Sequence, residues 1–180
     1  MVFSNRYIKS KELKDYGIKC GKNCLVHESV LILNNKNLIL GNNVRIDARC
    51  NIINSGKMFI GNYVSIAPNC IFWTSNKYIN IGDYAHLSDN VRIYCTNEIQ
   101  NKSLIVGPFS KMTKKVKRRL SNIIISPYSI IGSASLIIPF AKFNRGSCVG
   151  ANSMVNKELK AWTTHFGVPL REISKRRFRK

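Results

Sequence analysis

Three histidines, His27, His86 and His165, are the side chains of this chain that titrate near neutrality, and so the first candidates for moving a proton. His86 has the setting that suits such work. It ends the segment IGDYAH, and strand alternation from Ile81 and Ala85 turns it outward, where a neutral imidazole can act as a general base. An exposed histidine without a role is the competing reading. A zinc-dependent hydratase would need three histidines within reach of one ion, and these three fall on distant segments, which argues against that chemistry. Trp73 and Tyr78 bracket a short polar insert and offer an aromatic wall for a sugar ring; closing a corner is the alternative.

What positions these residues is a period of six. Between Ile125 and Val155, large apolar residues recur at Ile125, Ile131, Ile137, Phe143, Val149 and Val155, with Ser129, Ser135, Ala141, Ser147 and Ser153 each four residues further on. Six is divisible by two but not by 3.6, so the pattern belongs to strands, and its recurrence marks a solenoid. Upstream, the large-apolar position falls in groups of three: Cys20, Val26, Ile32; Leu40, Ile46, Ile52; Ile60, Ile66, Phe72; Ile81, Leu87, Ile93. Each group is one coil of a three-sided prism. The extra residues near Asn34, Ser55 and Asn76, and the long excursion over 94–122, all leave from the same corner. The spacing predicts four coils before the excursion and two after it, in one domain over 20–175. Residues 1–19 form a polar cap with a short helix over Ser10 to Tyr16 that covers the open sheet edge, and 176–180 form a basic tail. Gly21, Gly41, Gly61 and Gly82 stack along one corner, where positive φ or close backbone approach is expected.

Composition narrows the classes. A chain of 180 residues with 44% hydrophobic content can bury a sizeable core. No apolar run approaches a membrane span and the start is too polar for a signal peptide, so the expectation is a cytoplasmic protein. Of the six cysteines, Cys24, Cys50 and Cys70 take small-residue positions and Cys20 a large-apolar one; with no CxxC they read as small hydrophobes, not as ligands or disulfides. The formal charge of +20 gathers in Lys111 to Arg119 and in Lys175 to Lys180. A phosphate-rich cofactor or an anionic membrane surface would exploit such runs; nucleic acid is the least favoured partner.

The hexads LGNNVR, IGNYVS, IGDYAH, IGSASL and VGANSM, with the ending Gly167, Val168, Pro169, Leu170, Arg171, resemble the hexapeptide-repeat acyltransferases, in particular the sugar O-acetyltransferases. The resemblance covers about residues 20 to 175. It implies an all-β, left-handed parallel β-helix with one long corner loop and a C-terminal capping strand and helix, although parallel crossovers are usually right-handed. It further implies acetyl-CoA as co-substrate, a carbohydrate or nucleotide-sugar acceptor, a homotrimer, and a loop beginning near Gly107 and Pro108 that reaches a neighbouring subunit.

By the same resemblance Ser133 and Ala151 contact the pantetheine arm, while Lys157 and Arg171 face the nucleotide phosphates. Where the family has a second C-terminal arginine this chain has Ser174, for which Lys175 or Arg176 would substitute. The family's catalytic histidine falls at Glu98, which makes Glu98 a second candidate base, although an exposed carboxyl with a pKa of about 4.3 is a weak one. The family's substrate-binding asparagine falls near Ala67, with Asn69 as the nearby substitute. The expected activity is acetyl transfer to a sugar hydroxyl in surface-polysaccharide or sugar-nucleotide synthesis. The alternatives are N-acetylation of a sugar nucleotide and a non-catalytic docking protein with a basic loop.

Overall fold

Strands of two to five residues can bury only one or two side chains each, so no pair of them is stable alone; stacking supplies the core. The computed structural model describes residues 6–98 and 118–177, and in it three parallel sheets form the faces of a prism. Face one carries the column Cys20, Leu40, Ile60, Ile81, Ile125, Phe143 and Leu159. Face two stacks Val26, Ile46, Ile66, Leu87, Ile131, Val149 and, last, His165. Face three stacks Ile32, Ile52, Phe72, Ile93, Ile137 and Val155. These columns follow the sixfold register, and Ile46, Ile66 and Leu87 are fully buried in line. Each such side chain contributes about 1.5–3 kcal/mol on burial.

The three corners are built differently. At the first corner, from face one to face two, the chain turns on Asn43, Tyr63, Tyr84, Tyr128 and Trp162, all with φ between 53° and 63°. Left-handed backbone costs a residue with a side chain roughly 1–2 kcal/mol. Ring stacking offsets that cost: the ring of Tyr63 lies 4.9 Å from that of Tyr84, and the ring of Tyr84 lies 5.1 Å from that of Tyr128, both pairs nearly parallel. The next coil has Gly146, also at positive φ, and the ring of Trp162 fills the space a side chain would need there. Of the two reasons expected for the four corner glycines, positive φ or close backbone approach, positive φ is not found at any of them. Close approach is their reason: a Cβ on Gly41 would sit 2.7 Å from the backbone of Gly61.

Both ends of face two are covered. Strand Tyr7–Lys9 pairs antiparallel with Leu25–His27, and the helix Ser10–Asp15 drives Leu13, 1% exposed, into the open first coil. At the other end strand Thr163–Phe166 pairs antiparallel with Arg171–Lys175. The expected terminal helix is absent among the described residues; the turn through Gly167, Pro169 and buried Leu170 folds the chain back as a strand instead. After Tyr94 the excursion begins as Thr96–Glu98, which pairs antiparallel with Arg118–Leu120 before face one resumes at Ile123. Gly107 and Pro108, the basic run from Lys111 to Lys117, and Arg179 and Lys180 lie outside the described residues.

Candidate active site

The second corner, from face two to face three, supplies the site. Two positions beyond each large residue of face two stand Glu28, Ala48, Pro68, Asp89, Ser133 and Ala151, followed by the left-handed residues Arg49, Asn69, Asn90, Ala134 and Asn152. This edge is lined by small side chains toward its C-terminal end, where Ala151 is exposed and Ser133 half-buried. Inside it, Ser135 donates to the Gly150 carbonyl at 3.0 Å, and Ser153 accepts the Gly167 N–H at 2.9 Å. These buried hydroxyls hold the last coils in register.

Backbone donors distinguish this corner from the first. At the first corner the N–H groups of Lys22, Asn42 and Asn62 each donate to the side-chain oxygen one coil on, from Asn42, Asn62 and Asp83, at 2.7–2.8 Å. At the equivalent place on the second corner Ser133 is followed one coil on by Ala151, which has no acceptor. Among the described residues the N–H groups of Ser133 and Ala151 have no protein partner. A carbonyl-bearing chain laid along this edge would find donors waiting and no side chains in the way.

One coil before Ser133 lies an acidic group that the sequence reading passed over. The Asp89 carboxylate accepts from Ser133 Oγ at 2.6 Å and from Asn90 Nδ2 at 2.8 Å, and these hydrogen bonds, Ser133 first, hold its pKa below the usual carboxylate range. The signal was available, because Asp89 occupies the same register position as Ser133 and Ala151.

His86 lies on the same coil as Asp89, exposed on the outer side of face two between Ser65 and Ile130. Its backbone N–H donates to the Ser129 carbonyl, and no side chain among the described residues orients its ring. Asn69 is at this corner two coils before Ser133, but its Oδ1 accepts from Arg49 Nε at 2.8 Å, which commits it to the turn. Lys157 donates from Nζ to the Leu170 carbonyl at 3.0 Å, and Arg171 opens the exposed last strand; both sit at the C-terminal end of the prism. Arg176 spends one guanidinium nitrogen on the carbonyls of Tyr128 and Gly146 at the first corner, and Ser174 and Lys175 are exposed nearby.

Trp73 and Glu98 belong to another part of the surface. Trp73, 41% exposed, points outward from face three between Ile53 and Tyr94, and the backbone of Glu98 pairs with Arg118 beyond the third corner. The full width of face three separates Glu98 from Ser133 and Ala151. Of the other histidines, His27 is buried and bonds through Nδ1 to Ser29, and His165 points into the core, where burial lowers its pKa.

No protein-family model matches the chain. It is 30% identical over 171 residues to the dTDP-4-amino-4,6-dideoxy-D-glucose acyltransferase of Escherichia coli, a match that spans 94% of this chain and 88% of that one. The structure superposes with a TM-score of 0.88 on AntD, an N-acyltransferase from Bacillus cereus in complex with dTDP and 3-hydroxybutyryl-CoA, at 31% identity over 97% of this chain and 92% of AntD. A point mutant of AntD in complex with dTDP-4-amino-4,6-dideoxyglucose and coenzyme A gives 0.89 at 31% identity, over 97% and 93% of the two chains. A maltose O-acetyltransferase from Clostridium difficile, 21% identical with a TM-score of 0.61 over 93% of this chain and 74% of that one, shares the fold. Coil for coil and over nearly its whole length, this chain belongs to the hexapeptide-repeat, left-handed β-helix acyltransferases, which take acyl groups from coenzyme A thioesters.

Proposed function

We propose that the protein acylates the 4-amino group of a dTDP-linked 4-amino-4,6-dideoxy sugar, with an acyl-CoA as donor. The observation that carries the reading is the match, over nine-tenths of both chains, to AntD with a dTDP-amino sugar and coenzyme A bound. The hydroxyl acceptor favoured by the sequence resemblance gives way to an amine, because the Escherichia coli relative is named for an amino sugar and AntD is named an N-acyltransferase. Acetyl is one acyl group among several; AntD was seen with a 3-hydroxybutyryl thioester.

The second corner suits the thioester. Pantetheine amides would accept from the free N–H groups of Ser133 and Ala151, with Lys157 and Arg171 toward the nucleotide phosphates. The amine attacks the thioester carbonyl, the tetrahedral adduct collapses, the C–S bond breaks, and coenzyme A leaves as the thiol with the proton the amine gives up. An amino group with a pKa of about 8, the range of an α-amino group, is partly neutral at physiological pH and needs less help from a base than a hydroxyl does. Asp89, anionic and fixed by Ser133, is suited to hold the ammonium form beside the thioester until it loses its proton. His86 and Glu98 remain candidates to receive that proton.

A trimer completes this reading. The outer side of face three is apolar for a solvent-facing sheet, with Leu31, Leu33, Ile53, Ile71, Leu136 and Ile138 on it beside Trp73. Covering that face with a second copy would bring one chain's second corner against the next chain's third corner, which Ser133 and Glu98 of a single chain cannot achieve. Product analysis by mass spectrometry with acetyl-CoA and 3-hydroxybutyryl-CoA, against the dTDP-4-amino sugar and its 4-hydroxy counterpart, tests the reaction. Acylation of the amine alone is expected; acylation of the 4-hydroxy sugar alone would restore the O-acyltransferase reading.

A further inference from the structure

The third corner carries the insertions that the other two lack, and they border an open groove of about 610 Å³ against the outer side of face one. Its volume is that of a small-molecule site. The groove lies at the third corner, away from the small-residue edge of the second corner assigned to the thioester, and the acyl transfer at that edge makes no use of it.

Its construction is specific. Strand pairing places Lys57 directly beside Tyr78, with Phe59 next on the same outer side, so an ammonium group and two aromatic rings share one wall. Lys77 adds a second cation from the insertion, and no acidic residue lines the groove. Neither lysine pairs with a carboxylate among the described residues. The floor is bare backbone by necessity: a Cβ on Gly56 would lie 1.8 Å from the Lys77 carbonyl oxygen, while the Gly56 N–H donates to Thr74 Oγ1 at 2.9 Å. Asn122 ties the far rim down, its Oδ1 accepting the Tyr78 N–H at 3.2 Å across the base of the excursion. Two cations without a carboxylate partner, beside two aromatic side chains and with amide side chains around them, suit an anion that carries a flat heterocycle.

We infer that this groove seats the nucleoside diphosphate end of the acceptor, the pyrimidine against Phe59 and Tyr78 and the diphosphate on Lys57 and Lys77. The inference rests on the nucleotide-sugar reading above and adds where that nucleotide binds. Trp73 stands across the same corner from Tyr78, so a sugar leaving the groove round that corner meets the indole.

Calorimetry of the full chain with dTDP and, separately, with coenzyme A tests this. The Lys57→Gln/Lys77→Gln double variant should bind dTDP at least 30-fold more weakly and coenzyme A within twofold of wild type. Tyr78→Ala, with both lysines kept, should weaken dTDP about tenfold and reduce saturation transfer from protein aromatic protons to the thymine methyl, leaving only the share from Phe59. Thermal melting reports whether each variant is folded; if the double variant is not, the Tyr78→Ala result decides. Unchanged dTDP affinity in a folded variant overturns the placement and leaves the nucleotide-sugar reading standing. Equal loss of both ligands from a folded variant assigns the groove to the coenzyme and also overturns it. A wild-type chain that binds coenzyme A but neither dTDP nor UDP overturns the nucleotide-sugar reading itself.

Discussion

The first and second corners make the same turn, with left-handed residues at equivalent places, yet one is closed and the other open. At the first, Asn42, Asn62 and Asp83 serve the backbone donors and Tyr63, Tyr84 and Tyr128 cover the edge with stacked rings. At the second, Ala151 leaves the Ser133 N–H unserved and presents no ring. A solenoid repeats its backbone at each coil, so side-chain choice alone decides which edge is structural and which can take a ligand. The open edge is less stabilised by its own contacts, and its donors are available to a ligand because no side chain has used them.

Closing the open corner should have the largest effect. Ala151→Trp places an indole along the second corner and is expected to weaken coenzyme A binding at least 100-fold, about 2.7 kcal/mol, with the melting temperature unchanged because residue 151 is exposed. The milder Ala151→Asn hands Ser133 the acceptor that Asn62 hands Asn42, and a loss of about tenfold in calorimetry would show that the donor itself matters. Coenzyme A bound normally by both variants would place the thioester elsewhere.

Opening the closed corner comes next. Tyr84→Ala removes two ring stacks, each worth about 0.5–1.5 kcal/mol, so urea unfolding should show a loss of roughly 1–3 kcal/mol while kcat/KM stays at the wild-type value. A fall in turnover without a fall in stability would mean that the ladder has a ligand of its own.

A smaller change is expected from Asp89→Asn. Its KM for the amino sugar should rise about tenfold. A nearby carboxylate raises the pKa of the amine it holds, so without it the rising limb of the rate–pH profile should move to lower pH. An unmoved limb would remove Asp89 from contact with the amine.

The smallest effect lies where both corners run out. His165 ends a column otherwise made of aliphatic residues, and burial holds its pKa below the ordinary 6.5. The unfolded chain therefore binds a proton that the folded chain resists, so stability should fall as pH drops through about 6.5 toward the folded-state value and level off below it. Denaturant midpoints measured across that window should flatten in His165→Leu; an equal slope in the variant would assign the pH dependence to other groups.

Much of this architecture was present in the residues. The sixfold spacing and its grouping by three determine the faces, the columns and the corner from which the excursion leaves, because period two along a strand dictates which side chain turns inward. The same register points to Ser133, Ala151 and Asp89 as neighbours, and to an outward His86. Tertiary structure decided what spacing leaves open. It decided that the corner glycines answer close approach and not positive φ, that the C-terminus returns as a strand, and that Arg176 and Asn69 spend hydrogen bonds on the scaffold. It also decided that Trp73 and Glu98 stand a face-width from Ser133, and that insertions from separate coils border one groove. A periodic sequence specifies which residues share a column, since that follows from repeat geometry alone; which donors and cations stay unpaired depends on contacts between coils far apart in the sequence, and only the folded chain brings those together.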